Sequence, residues 1–166
     1  MAAASCVAVL SATNVPLYIH SADPSRALAD QYSLHTSLDV IEEKTGAHFA
    51  SSATDSNIKK TNPAGASAVV APPKGEQSRD LYLGTLFATE KQKVYGYVTN
   101  TRIKFILIVD SSNATSLRDN EIRQMFRKLH TVYTQLLSNP FYVPGNQIKS
   151  KRFDSLVLSL VQPGKN

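Results

Sequence analysis

Side chains able to do chemistry are sparse in this 166-residue sequence. The four histidines, His20, His35, His48 and His130, never fall at His-x-x-x-His or His-x-Cys spacing, so a metal site would have to be assembled from distant segments. Cys6 is the only cysteine, which excludes an internal disulfide and a cysteine-rich zinc site. It sits in the apolar run from Ser5 to Leu10, where a small buried hydrophobe is expected rather than a thiolate nucleophile. Asp110 closes the most apolar stretch of the chain, a position where a catalytic carboxylate can stand. Bonding to the backbone N–H groups of Ser111, Ser112 and Asn113 is the simpler expectation for it. Glu42 and Glu43 point about 100° apart on a helix, while Asp39 and Glu43, at i and i+4, read as a solvated acidic face. The seven glycines are scattered and build no phosphate-binding loop, and no Gly-x-Ser-x-Gly elbow exists. The expectation is therefore a protein with no catalytic residue, no cofactor and no metal. An enzyme would have to rely on Asp110 or Cys6.

The elements that would position these groups are easier to read. Short apolar stretches at Ser5–Leu10 and Val15–His20, with Thr13-Asn14 between them, predict strand, turn, strand. Asp23-Pro24 predicts a helix start and Gly46 its stop. Leu28, Tyr32, Leu34, Leu38 and Ile41 spread over an arc of roughly 180°, wider than one sheet-facing stripe needs. Either the helix is deeply seated, or the extra side near Leu34 and Leu38 meets another protein. Residues 48–78 are low in complexity, with Ala, Ser, Thr, Gly and Pro at 18 of 31 positions. Such a stretch reads as a flexible insertion within a single domain spanning 1–166. Three strands are predicted beyond it, at Asp80–Phe87, Lys93–Thr99 and Ile103–Asp110. The last is apolar on both sides except at Lys104, as a central strand covered on both faces would be. Ser116-Leu-Arg-Asp119 reads as a capping box opening a strong helix with Ile122, Met125, Phe126, Leu129, Val132, Tyr133, Leu136 and Leu137. A final helix carries Phe153, Leu156, Val157, Leu160 and Val161 and stops at Pro163. The order β-β-α-(insertion)-β-β-β-α-α is most economically an α+β fold, a five-stranded, mostly antiparallel sheet with helices on both faces.

Charge is uneven along the chain. Residues 1–58 carry 2 basic and 6 acidic side chains, and residues 59–166 carry 16 and 7, for a net +5. The basic groups on the last two helices, Arg118, Arg123, Arg127, Lys128, Lys149, Lys151 and Arg152, read as a solvated face or a contact for protein or anionic lipid. RNA is disfavoured, because Tyr95 and Tyr97 read as sheet packing rather than a stacking platform. No run of about 18 apolar residues offers a membrane span, and a cytoplasmic protein is expected.

Several segments together resemble one family. They are Asn14-Val-Pro-Leu-Tyr-Ile19, His35-Thr-Ser-Leu-Asp39, Lys93-Val-Tyr-Gly-Tyr-Val-Thr-Asn100, Val109-Asp-Ser-Ser112, Leu117-Arg-Asp-Asn-Glu-Ile-Arg123, Met125-Phe-Arg-Lys-Leu-His130 and Asn139-Pro-Phe-Tyr142. From about Cys6 to Val161, outside residues 48–78, the chain is similar to the sedlin family. The resemblance implies a longin-like fold and a non-catalytic adaptor subunit of a trafficking protein particle (TRAPP) complex, a vesicle tether and Rab exchange factor of endoplasmic-reticulum-to-Golgi and Golgi traffic. It implies longin-like and Bet3-like subunits as partners, a Rab GTPase at most indirectly, no nucleic acid, and peripheral contact with endoplasmic reticulum and Golgi membranes through the complex. It places a partner surface at Leu34, Leu38 and Asp39. A longin-type regulatory domain of a SNARE, or a small clathrin-type adaptor subunit, is the alternative.

Overall fold

The computed structural model describes residues 4–53, 82–111 and 117–161. Strands β1 (Ala4–Leu10) and β2 (Pro16–Ser21) form a hairpin. Asp23 then accepts from the Ser25 backbone N–H at 3.0 Å, and a 3₁₀ turn at Pro24–Arg26 leads into α1 (Ala27–Ala53). Strands β3 (Tyr82–Ala88), β4 (Gln92–Val98) and β5 (Lys104–Asp110) come next, then α2 (Asp119–Leu137) and α3 (Lys151–Val161). The sheet order is β2-β1-β5-β4-β3, and every pairing is antiparallel. The expected α+β architecture is present.

Strand β5 lies at the centre because both of its faces are apolar. Phe105, Leu107 and Val109 point toward α2 and α3, whereas Ile106 and Ile108 point toward α1. On the α2 side Ile122, Phe126, Leu129 and Tyr133 are buried, and α3 adds Phe153, Val157, Leu160 and Val161. Phe126 stacks on Tyr97 with ring centroids 5.5 Å apart, and Phe105 meets Tyr133 edge-on at 5.6 Å. The α1 side is built from smaller aliphatics: Cys6, Ala8, Leu34, Leu38, Ile41, Leu86, Val94 and Val98. Gly96 belongs here, since a Cβ at this position would come within 2.9 Å of the Leu86 side chain.

Two expected boundaries are corrected. Gly46 does not stop α1, which continues to Ala53. A glycine ends a helix by taking a positive φ, and among the described glycines only Gly84 and Gly145 do so. The helix therefore takes in the first residues of the expected insertion. Helix α2 starts at Asp119 with Arg118 as its N-cap, and Glu121 reaches back to the Arg118 N–H at 3.4 Å. Asp119 is instead engaged by the Tyr82 hydroxyl at 2.7 Å and by Arg123 at 3.0 Å. The remainder of the expected insertion (54–78), the Ser112–Asn113 turn, the cap at Ser116 and the stop at Pro163 lie outside the described residues.

The two edge strands carry additional bonds. The Lys44 ammonium on α1 donates to the backbone carbonyls of Leu83 and Thr85 on β3, at 3.3 and 2.8 Å. On the opposite edge, the Ile148 N–H donates to the Leu17 carbonyl of β2 at 2.9 Å.

Candidate functional site

Asp110 and Cys6, the two candidates for chemistry in the sequence, are engaged in holding the fold. Asp110 pairs with the Arg26 guanidinium at 2.8 Å, and the Ser111 N–H donates to the Lys91 carbonyl at 2.8 Å. Cys6 is fully buried, and burial, helped by the charge of Asp30, pushes its thiol up to about 12. A thiol in that state supplies no nucleophile at neutral pH. A polar cleft of about 250 Å³ opens between Ser5, Ser21, Asp23, Arg26, Asp30 and Asp110. Inside it the Ser21 hydroxyl donates to Asp30 Oδ2 at 2.6 Å, tying the first turn of α1 to the end of β2. Among the described residues, no group of three or more His, Cys, Asp or Glu side chains could hold a metal ion.

Helix α1 carries the most distinctive surface. Leu34 and Leu38 are 3% and 7% exposed and pack on the sheet with Ile41. They belong to the core, which corrects the expectation that a partner meets them. Asp39 remains on the surface. The exposed apolar residues of this helix are Leu28 and Tyr32, at 80% and 76%. At about 100° per residue, Leu34, Leu38 and Ile41 fall within about 60° of one another, whereas Leu28, Tyr32, His35 and Asp39 fall within another arc of about 60°. The centres of the two arcs lie about 120° apart, a division the sequence already contains but which the single wide arc obscures. The outer stripe is apolar in its first half and acidic in its second, where Glu42 and Glu43 flank Asp39.

The orientation of that stripe is fixed by polar ties around the rim of α1. Besides Arg26–Asp110 and Ser21–Asp30, Asn14 Nδ2 donates to Glu42 Oε1 at 2.8 Å. Asn14, with φ of 63°, also accepts from Lys104. Lys104 is the one interruption in the apolar run of β5. It is 5% exposed and donates to the Ala12 carbonyl at 3.4 Å, and burial lowers its pKa. With Lys44 on β3, these contacts hold α1 to both ends of the sheet.

A model of the sedlin family matches residues 9–163. The chain belongs to the sedlin family. Its relatives in that family include the trafficking protein particle complex subunit 2-like protein of Xenopus tropicalis, 48% identical over 160 residues, covering 96% of this chain and 98% of the relative. The bovine (Bos taurus) protein of the same name is 48% identical over 158 residues, covering 95% and 96%. The Dictyostelium discoideum one is 36% identical over 162 residues, covering 94% of each. The sedlin-family match runs the length of the described elements, from within β1 to beyond α3.

Proposed function

We propose that this sedlin-family chain is a non-catalytic adaptor subunit of a TRAPP-type trafficking complex, binding other subunits through the outer stripe of α1. Near full-length similarity to proteins named as subunits of that complex supports the membership. The observation that carries the surface is the exposure of Leu28 and Tyr32 in line with Asp39 on a helix tied to the sheet along its rim. Spaced four, three and four residues apart, Leu28, Tyr32, His35 and Asp39 form a seam of the kind one helix offers another. Its complement is a groove or helix with an apolar half and a basic half. The complex acts as a tether and Rab exchange factor at endoplasmic reticulum and Golgi membranes. This chain contributes surfaces there, and nucleotide exchange belongs to other subunits.

Affinity capture of the tagged chain from cells, with mass spectrometry of what it recovers, tests the proposal. Other TRAPP subunits should be recovered with the wild-type chain and lost with Asp39→Tyr and with Tyr32→Asp, while both variants melt near the wild-type temperature. Recovery of no TRAPP subunit by the wild-type chain overturns the membership. Undiminished recovery by both variants overturns the surface.

A further inference from the structure

The loop between α2 and α3 exposes apolar side chains in an ordered setting. Phe141 is 92% exposed and Val143 60%, the former more than any other large apolar residue described. They are held out by consecutive turns. Asn139 Oδ1 accepts from the Phe141 N–H at 3.1 Å, the Tyr142 N–H donates to the Asn139 carbonyl at 3.0 Å, and the Asn146 N–H donates to the Val143 carbonyl at 3.1 Å. Tyr142 packs inward between the two and bonds the Asn146 carbonyl at 2.8 Å through its hydroxyl. The loop is anchored to the sheet by the Ile148 N–H on Leu17. Exposing a Phe in a built turn leaves its apolar surface in water with no internal compensation.

The chain beyond the tip is basic. Lys149, Lys151 and Arg152 are all exposed, and residues 138–153 contain no acidic side chain. Three extended residues span about 10 Å, so Lys149 lies close to the turn that ends at Asn146. An apolar tip beside long-stemmed cations matches the interfacial zone of an anionic bilayer, where the ring enters the acyl boundary and the cationic groups stay among the headgroups. Two side chains present too little area for a stable protein interface, which takes about 800 Å² on each side.

We propose that the 139–152 loop is a membrane-contact tip that inserts Phe141 and Val143 at the surface of an anionic bilayer, with Lys149, Lys151 and Arg152 on the headgroups. The contact belongs to this chain itself and does not depend on the α1 surface, so it is tested on the purified full-length protein. The sequence contains no tryptophan, so Phe141→Trp places a single indole at the tip. Its emission should shift to the blue on vesicles of phosphatidylcholine with about 30% phosphatidylserine and stay unchanged on phosphatidylcholine alone. Phe141→Ser should lower sedimentation with the anionic vesicles about tenfold. Joint replacement of Lys149, Lys151 and Arg152 by Gln should abolish it, as should salt raised to about 0.5 M. No blue shift, or vesicle binding that survives both changes, overturns the proposal. Vesicle binding unaffected by Phe141→Ser, with loss of other TRAPP subunits from the same variant on affinity capture, overturns it in favour of a protein contact. Failure of the adaptor reading would show in that capture alone and leave the vesicle result standing.

Discussion

The two faces of the sheet are held in different ways. The face toward α2 and α3 is aromatic, with Tyr18, Tyr82, Tyr97, Phe105, Phe126, Tyr133 and Phe153 meeting in stacked, tilted and edge-on pairs. The face toward α1 is mainly aliphatic, with Phe87 packed against it, and the helix is fixed at its rim by Arg26–Asp110, Ser21–Asp30, Asn14–Glu42 and the Lys44 bonds to β3. Apolar burial is non-directional and contributes bulk stability, whereas hydrogen bonds and ion pairs fix position. One face therefore supplies stability, and the other holds a helix in a defined orientation so that its outer stripe is presented.

The largest test of that contrast is Phe126→Ala, which removes a fully buried ring from between Tyr82 and Tyr97. It should cost about 3–5 kcal/mol, read by denaturant unfolding, and lower Tm by roughly 10 °C. Leu38→Ala on the α1 side should cost about 2–3 kcal/mol, because the helix sits at the edge of a thinner core. A larger loss there than at Phe126 would reverse the ranking of the faces. Next comes Lys104→Ala, which leaves the Ala12 carbonyl and Asn14 without their buried donor. It should cost about 1–3 kcal/mol and loosen α1, seen as faster amide exchange in that helix.

A smaller effect is expected from pH. Burial lowers the pKa of His130, whose Nδ1 lies 3.0 Å from the Tyr97 hydroxyl. The unfolded chain then binds a proton more readily than the native one. The stability contributed by neutral His130 is complete above its ordinary value of 6.5 and is lost as pH falls below it. Unfolding free energies measured from pH 7.5 to 5.5 (about two units) should decline, and His130→Gln should flatten that slope. Smallest of all is the effect of Leu28→Asp on stability, about 0.5 kcal/mol or less because the side chain is 80% exposed. A loss above about 2 kcal/mol would place Leu28 in the core and remove it from the outer stripe.

Whatever repeats locally is legible in the sequence. The alternation of the strands, the 3.6-residue period of α2 and α3, and the Asp23-Pro24 start each depend on residues a few positions apart. Features set by partners far along the chain are not legible. Asp110 lies 84 residues from Arg26, and Lys104 lies 90 from Asn14, so neither spacing nor composition could pair them. Gly46 misleads because a glycine stops a helix only by its backbone angle, which composition does not state. The candidate surface is half legible. Asp39 stands out, but Leu34 and Leu38 look like its neighbours when helical phase places Leu28 and Tyr32 beside it.

Lys44 and Ile148 have one consequence in common. An open sheet ends in two rows of unspent backbone groups, and a passing strand can zip onto either row whatever its sequence. Here a side-chain ammonium occupies two acceptors at one border and a loop N–H occupies an acceptor at the other. Strand addition, the least discriminating way for two proteins to join, is obstructed at both borders. Recognition is left to side chains on helix and loop, where identity and charge decide who binds. Such stoppered borders favour selectivity over stickiness.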